Sequence, residues 1–363
     1  MMRVFDRLGR AALFRLDPET AHGLSIAALR SGVPLGAAAA ADPRLAVSVA
    51  GMHMPNPLGM AAGYDKNGEV PDALLGLGFG HAEIGTVTPL PQPGNPRPRI
   101  FRLEADRAVI NRLGFNNQGH EAALARLAAR AARGGVVGVN IGANKDSTDR
   151  IGDYALGAAR FAALAAYLTV NISSPNTPGL RNLQSRESLR ELLARVRAAR
   201  DEALAGSAKR TPIFLKIAPD LVEADLAEIA EEVLASGIEG VIVSNTTLAR
   251  DGLRSAAALE AGGLSGAPLF ARSTAVLARM RRLLGPGVAI IGVGGVDSAA
   301  AAIDKIRAGA DLVQLYTGMI YAGPRLPGRI VRELSAHVAR QGLRNIAELR
   351  DTALEDWASR PLG

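Results

Sequence analysis

From about residue 57 onward the chain alternates short apolar runs with amphipathic stretches. The runs fall at 56–63, 81–88, 136–142, 167–173, 213–218, 240–246, 288–295 and 311–318. Several are apolar almost throughout, as parallel strands are when both faces are covered. The segments 121–133, 187–204, 222–236 and 298–308 between them carry the helical period instead. Eight such strand–helix units predict an α/β fold, a (β/α)8 TIM barrel. An open doubly wound sheet is the alternative architecture.

Two insertions interrupt the alternation. After the second run, PLPQPGNPRPRIFRLEADRAVINRLGFNN is rich in prolines that favour extended structure, and β-like runs at 99–103 and 108–111 flank a charged turn. After the fourth, SSPNTPGLRNLQS is a loop with prolines and a glycine, read as a lid.

Residues 1–45 stand apart from the barrel domain at 46–363 as a small N-terminal helical hairpin. In MMRVFDRLGRAALF, Arg3, Arg7 and Arg10 share one helical face and Phe5, Leu8 and Ala12 the opposite one, while Phe14 falls on the arginine side. In DPETAHGLSIAALRSG, Asp17 is expected to cap a helix that has Pro18 at its first position and Gly32 as its stop. Such a pair suits an interfacial hairpin on a membrane, or equally a helical cap over the bottom of the barrel.

Polar residues gather where the apolar runs end: Asp65, Lys66, Thr86, Asn140, Asn171, Lys216, Asn245, Thr246, Tyr316 and Thr317. In a barrel these ends converge on one rim, where active sites form from several strands. The fourth run, YLTVNISSPNTPGL, ends in Asn171, Ser173, Ser174, Asn176 and Thr177, with no histidine, cysteine or carboxylate among them.

Composition narrows the chemistry. The chain has no cysteine, which excludes disulfides, thiolate nucleophiles and cysteine-bound clusters. Its five histidines lack metal-ligand spacing, so no metal is expected. A net charge of +7 points to nucleic acid, an anionic membrane or acidic small molecules as partners. No nucleic-acid-binding motif accompanies the charge, so no nucleic-acid partner is expected. No apolar stretch reaches the ~18 residues needed to span a bilayer, and the start lacks a signal-peptide pattern.

Small-residue turns recur late in the chain, as GGLSG at 262–266, GVGG at 292–295 and LYTG at 315–318. The last two follow the seventh and eighth runs, where barrels hold phosphate groups on backbone N–H donors. Lys216 lies inside the apolar run of FLKIAPD, and a buried lysine is costly unless it faces a charge or is functional. A Schiff base, as in a barrel aldolase, or stabilisation of a cofactor anion would each account for it. Lys66 is placed to meet a carboxylate or phosphate. Asn111, Asn140, Asn171, Asn176 and Asn245 offer both donors and acceptors, suited to a ring with amide-like edges such as a uracil or a flavin.

NISSPNTPGLR (171–181), AAGYDKNGE (61–69), GNPRPRIFRL (94–103), INRLGFNN (110–117), VSNTT (243–247), GGLSG, IGVGGVDS and LYTG together resemble the class 2, quinone-linked dihydroorotate dehydrogenases. The resemblance runs in order from about Asp17 to near residue 340, and DPETAH resembles the N-terminal helical segment of that class. It implies a barrel with one FMN, oxidation of dihydroorotate to orotate in pyrimidine biosynthesis, and a membrane quinone as electron acceptor. FMN would take a hydride from C6 after a base removes the C5 proton. The base of class 1 is a cysteine, absent here; that of class 2 is a serine, which the motif places at Ser174. Thr177 and a water would carry the proton onward.

The resemblance implies further residues position by position. FMN would meet Ala62, Gly63, Tyr64, Asp65, Lys66, Thr86, Asn140, Asn171, Lys216 and Ser244, with its phosphate on Gly266, Gly295, Tyr316 and Thr317. Ser244 stands where the family often has threonine. The substrate would meet Lys66, Asn111, Asn171, Asn176, Asn245 and Thr246, with Asn111, Arg112, Leu113, Gly114 and Phe115 closing over it. The N-terminal hairpin becomes a quinone entrance, with Phe14, His22 and Arg102 as contacts, resting on an anionic membrane surface. Because the hairpin begins almost at residue 1, the expected location is the cytoplasmic face of a bacterial inner membrane, as a peripheral protein. A monomer is expected.

Overall fold

The computed structural model describes residues 9, 12–33, 35–36, 38–177 and 179–362. Its strands are β1 (Val47–Val49), β2 (Met52–Met54), β3 (Leu58–Met60), β4 (His81–Val87), β5 (Ile100–Leu103), β6 (Ala108–Asn111) and β7 (Val136–Ile141). They continue as β8 (Leu168–Asn171), β9 (Ile213–Ile217), β10 (Gly240–Val243), β11 (Gly263–Gly266), β12 (Ala289–Val293) and β13 (Leu312–Leu315). Eight of them close a parallel barrel in the cyclic order β3-β4-β7-β8-β9-β10-β12-β13. Each of the eight predicted runs supplies one barrel strand, so the barrel forms and the open sheet does not.

The barrel closes because each strand is apolar on its outer face as well. Val137, Val139, Leu168, Val170, Leu215 and Ile217 are at most 2% exposed. Helices such as Arg186–Ala203 and Glu223–Ser236 cover them, close to the predicted spans. Register then aligns the chemistry: Asn171 of β8 pairs with Lys216 of β9, and Gly85 of β4 pairs with Asn140 of β7.

The insertion after β4 pairs with the segment that follows β10, outside the barrel. β5, β6 and β11 form a separate antiparallel sheet around Leu103, Ala108, Ile110 and Leu264. GLSG, expected as a turn, is therefore a strand, because its backbone completes the edge of β6. Only its last residue, Gly266 at φ +101°, turns the chain.

The helix Pro18–Arg30 begins as expected, with the Asp17 carboxylate accepting from the N–H groups of Glu19 and Thr20 at 3.1 and 2.9 Å. Residues 12–15 are also helical; Arg3, Phe5, Arg7, Leu8 and Arg10, which would define the charged face, lie outside the described residues. The Pro18–Arg30 helix lies over the C-terminal rim and not over the bottom. Arg99 decides its position. Its guanidinium, 6% exposed, donates to both Glu19 oxygens at 2.6 and 3.0 Å and to the carbonyls of Pro93 and Asn95. Ser25 Oγ is a further 3.0 Å from Tyr64 OH, on the loop after β3. The β1–β2 hairpin, with Met54 fully buried, precedes β3 and occupies the opposite end of the barrel.

The hydrogen bonds from Arg99 hold the Glu19 carboxyl below its ordinary pKa, so this attachment is present near neutrality and weakens as pH falls through that lowered value. Glu19→Gln leaves a buried guanidinium without its counter-charge, which costs about 3 kcal/mol. Hydrogen exchange of the Pro18–Arg30 amides is expected to speed about 100-fold. Unchanged protection there shows that packing alone docks the helix.

Candidate active site

The floor of the site is a buried polar network. Glu83 of β4 is 0% exposed and accepts from Asn140 Nδ2 at 2.8 Å, Tyr167 OH at 3.0 Å and Gln314 Nε2 at 2.9 Å. One layer up, Thr86 Oγ1 donates to Asn140 Oδ1 at 2.5 Å. Asn171 Nδ2 donates to Thr86 Oγ1 at 3.0 Å and to Asn140 Oδ1 at 3.1 Å. Asn245 Nδ2 reaches Ser173 Oγ at 2.9 Å and Asn171 Oδ1 at 3.3 Å. Each amide is thus oriented by its neighbours, as buried polar groups must be.

Lys216 rises from β9 beside this network, 5% exposed, and lines the cavity above it. Among the described residues its ammonium has no hydrogen-bond or ion-pair partner. Burial lowers its pKa, and the Glu83 charge opposes that shift.

The cavity measures about 840 Å³ and runs without interruption from the barrel rim to the N-terminal helices. Ala62, Gly63, Tyr64, Lys66, Thr86, Asn171, Lys216 and Ser244 line it. So do Gly266, Gly295, Tyr316 and Thr317 at the late turns, where Thr317 Oγ1 donates to Ser265 Oγ at 2.8 Å. Ser174 is on the same wall with Asn111, Leu113, Gly114, Phe115, Asn176, Asn245 and Thr246. Ser174 is 5% exposed, and its Oγ accepts from the Asn176 N–H at 3.2 Å. Asn176 Nδ2 in turn reaches Asn111 Oδ1 at 3.4 Å, joining the loop after β8 to β6.

Three of the residues expected to bind cofactor or substrate stand behind the wall. Asn140 is in the network beneath it. The Asp65 carboxylate accepts from the N–H groups of Glu69 and Val70, both at 2.8 Å, and shapes the loop that carries Tyr64 and Lys66. Arg112 turns outward to Glu260 at 2.7 Å, with its guanidinium 4.6 Å from the Phe101 ring centroid.

Toward the N-terminal helices the cavity becomes apolar, lined by Leu13, Phe14, Leu16, Ala21, Leu24 and Ala28. His22 sits where the two zones meet. Its Nε2 is 3.4 Å from Lys66 Nζ, and its ring is 5.2 Å from that of Tyr64. Burial, and then the Lys66 charge, push the imidazole down to about 3, so it is neutral. Burial likewise lowers Lys66 to about 8, against the pull of Glu19. Arg102 donates to the carbonyls of Phe14 and Leu16, each at 3.1 Å, and stacks 4.8 Å from the Phe14 ring, fastening residues 13–16 to β5.

Sequence reasoning missed Glu83, Tyr167 and Gln314. A signal was present: a carboxylate in the middle of the mostly apolar run HAEIGTV has to point into a barrel interior that satisfies it.

Comparison with known proteins follows the same outline. The family model for dihydroorotate dehydrogenase matches residues 44–338. A dihydroorotate dehydrogenase (quinone) of Mesorhizobium japonicum is 70% identical over 99% of this chain and 100% of its own length. One from Chelativorans sp. is 64% identical over the full length of both. The DHODH of Eimeria tenella, crystallised with ferulenol, superposes with a TM-score of 0.87 at 40% identity, covering 93% of this chain and 95% of that one. The family-model match and these full-length relatives place this chain in the dihydroorotate dehydrogenase family, within the quinone-dependent class of pyrimidine biosynthesis.

Proposed function

We propose that the cavity holds FMN and dihydroorotate together, with Ser174 as base, and opens through its apolar arm to a membrane quinone. The observation that carries this reading is Lys216, a buried ammonium that faces the cavity with no bonding partner among the described residues. A planar, anion-accepting ring with amide edges fits there, against Lys216 and the oriented amides of Asn171 and Asn245. A phosphate fits the far end, where Gly295 (φ +74°) is pressed so closely on Phe270 that a Cβ would lie 2.4 Å from the Phe270 Cβ. Bound FMN would accept the hydride that leaves C6 of dihydroorotate.

The chain's own groups handle the rest. Lys66 attracts the substrate carboxylate, and Asn111, Asn176, Asn245 and Thr246 present donors and acceptors to its ring edges. Phe115 and the neighbouring 111–114 segment shield the reacting carbons from water. Ser174 takes the C5 proton while its own proton leaves toward Thr177, which is also 5% exposed, and a water. The Asn176 N–H holds the serine oxygen in place.

The apolar arm accounts for the oxidant. An isoprenoid quinone is insoluble in water, and the wall of Leu13, Phe14, Leu24 and Ala28 suits its tail. No helix among the described residues is long and apolar enough to cross a membrane. The proposed attachment is peripheral, through residues 1–45 on an anionic surface at the cytoplasmic face of a bacterial inner membrane.

Three measurements test this reading. Ser174→Ala is expected to bind dihydroorotate normally yet slow single-turnover flavin reduction by ~10²–10⁴-fold; reduction at the parent rate removes Ser174 as the base. With Lys66 lowered to about 8, its charge is present below that pH and lost above it. Orotate affinity should thus weaken as pH rises from 7 to 9, and Lys66→Arg should flatten the profile; a level profile in the parent protein rules out the contact. Ala28→Trp, which narrows the apolar arm, should slow reoxidation by a long-tailed quinone and leave anaerobic bleaching by dihydroorotate unchanged. Equal turnover with that quinone would close this route.

A further inference from the structure

Most cations buried in this protein have an acid to answer them. Arg99 meets Glu19, Arg279 meets Glu223 and Arg281 meets Asp311. Lys216 is offset by Glu83. Lys305 differs. It is 0% exposed, and among the described residues its ammonium donates only to hydroxyls, Ser273 Oγ at 2.9 Å and Thr274 Oγ1 at 3.0 Å. The Phe270 ring centroid is 5.2 Å away. Among the described residues no carboxylate pairs with it. Burial alone acts on its pKa, lowering it to about 7.

Its surroundings show where the missing negative charge belongs. Lys305 is near the end of the helix Ala299–Arg307, and its side chain runs past Gly292 of β12, whose Cβ would lie 3.1 Å from the Lys305 Cδ. It ends beneath the first turn of the helix Phe270–Leu284. That turn is fastened to the late glycine turn: Ser273 Oγ lies 3.3 Å from the Gly294 carbonyl, and Phe270 packs against Gly295. Gly294 and Gly295 line the cavity on their other side. The ammonium, the N-terminal end of a 15-residue helix and the glycine turn thus place positive potential at one end of the cavity.

We propose that Lys305 is a positioning residue for the phosphate of the cofactor. It supplies the counter-charge from behind the Gly294–Gly295 turn and fixes that turn through Ser273. This rests on the reading that the phosphate sits on Gly266, Gly295 and Thr317. The lysine does not touch the phosphate; it acts through a low-dielectric layer, where a charge is felt over several ångströms.

The test compares FMN with riboflavin, which has the same ring and no phosphate. Exchange of the two flavins on the full-length, flavin-loaded protein gives the ratio of their affinities. Lys305→Met removes the charge and the hydrogen bonds; Lys305→Gln removes the charge and keeps donors for Ser273 and Thr274. Both variants are expected to reduce the preference for FMN by roughly tenfold, with little effect on riboflavin. Equal weakening of both flavins, or an unchanged ratio in Lys305→Gln, shows a structural lysine and overturns the proposal. A parent protein with no preference for FMN instead overturns the phosphate reading beneath it.

Discussion

A carboxylate and an ammonium, Glu83 and Lys216, are both enclosed in the barrel without a direct ion pair, and the site is arranged around keeping them apart. Isolated buried charges are expensive, so each needs an environment of its own. Glu83 has three neutral donors, from Asn140, Tyr167 and Gln314. Among the described residues Lys216 has only the field of Glu83, and it faces the cavity. Had the two met, the ammonium would be neutralised inside the protein and unavailable to a ligand. The donors that hold Glu83 therefore help leave Lys216 free for the cavity.

The same network orients the amides above it. Asn140 bonds Glu83 with its Nδ2 and receives Thr86 and Asn171 on its Oδ1, which leaves little freedom for an amide flip. The order propagates to Asn245 and Ser173 at the mouth of β8. Ser174, the next residue, thus leaves a strand end whose neighbours are already fixed. Preorganised polar groups of this kind avoid reorganisation at the moment of reaction.

The N-terminal helix adds a second, differently made half to the cavity. The Glu19–Arg99 pair and the Ser25–Tyr64 contact bring His22 over Lys66. The neutral imidazole lies next to a lysine whose charge is itself weakened by burial, so polarity falls off gradually toward the leucines and alanines beyond. One continuous space can therefore accommodate a charged ring at one end and an apolar chain at the other.

The sequence by itself determined the eight strand positions, the capping of the Pro18–Arg30 helix and the placing of polar residues at strand ends, because periodicity and capping are local properties of the chain. It also marked Ser174, Lys66, Lys216, Gly266 and Gly295, all of which the fold brings to one cavity. Only the tertiary structure decided which face of the barrel the N-terminal helix covers, since that depends on Arg99 meeting a carboxylate 80 residues away in the chain. It turned GLSG from a turn into a strand, because an edge of β6 needed a partner. It also decided what the buried charges are for. Glu83 and Lys305 are both charges that the fold buries, yet among the described residues one is ringed by donors and the other left with hydroxyls alone. Those surroundings come from strands and helices far apart in the chain, and only folding brings them together.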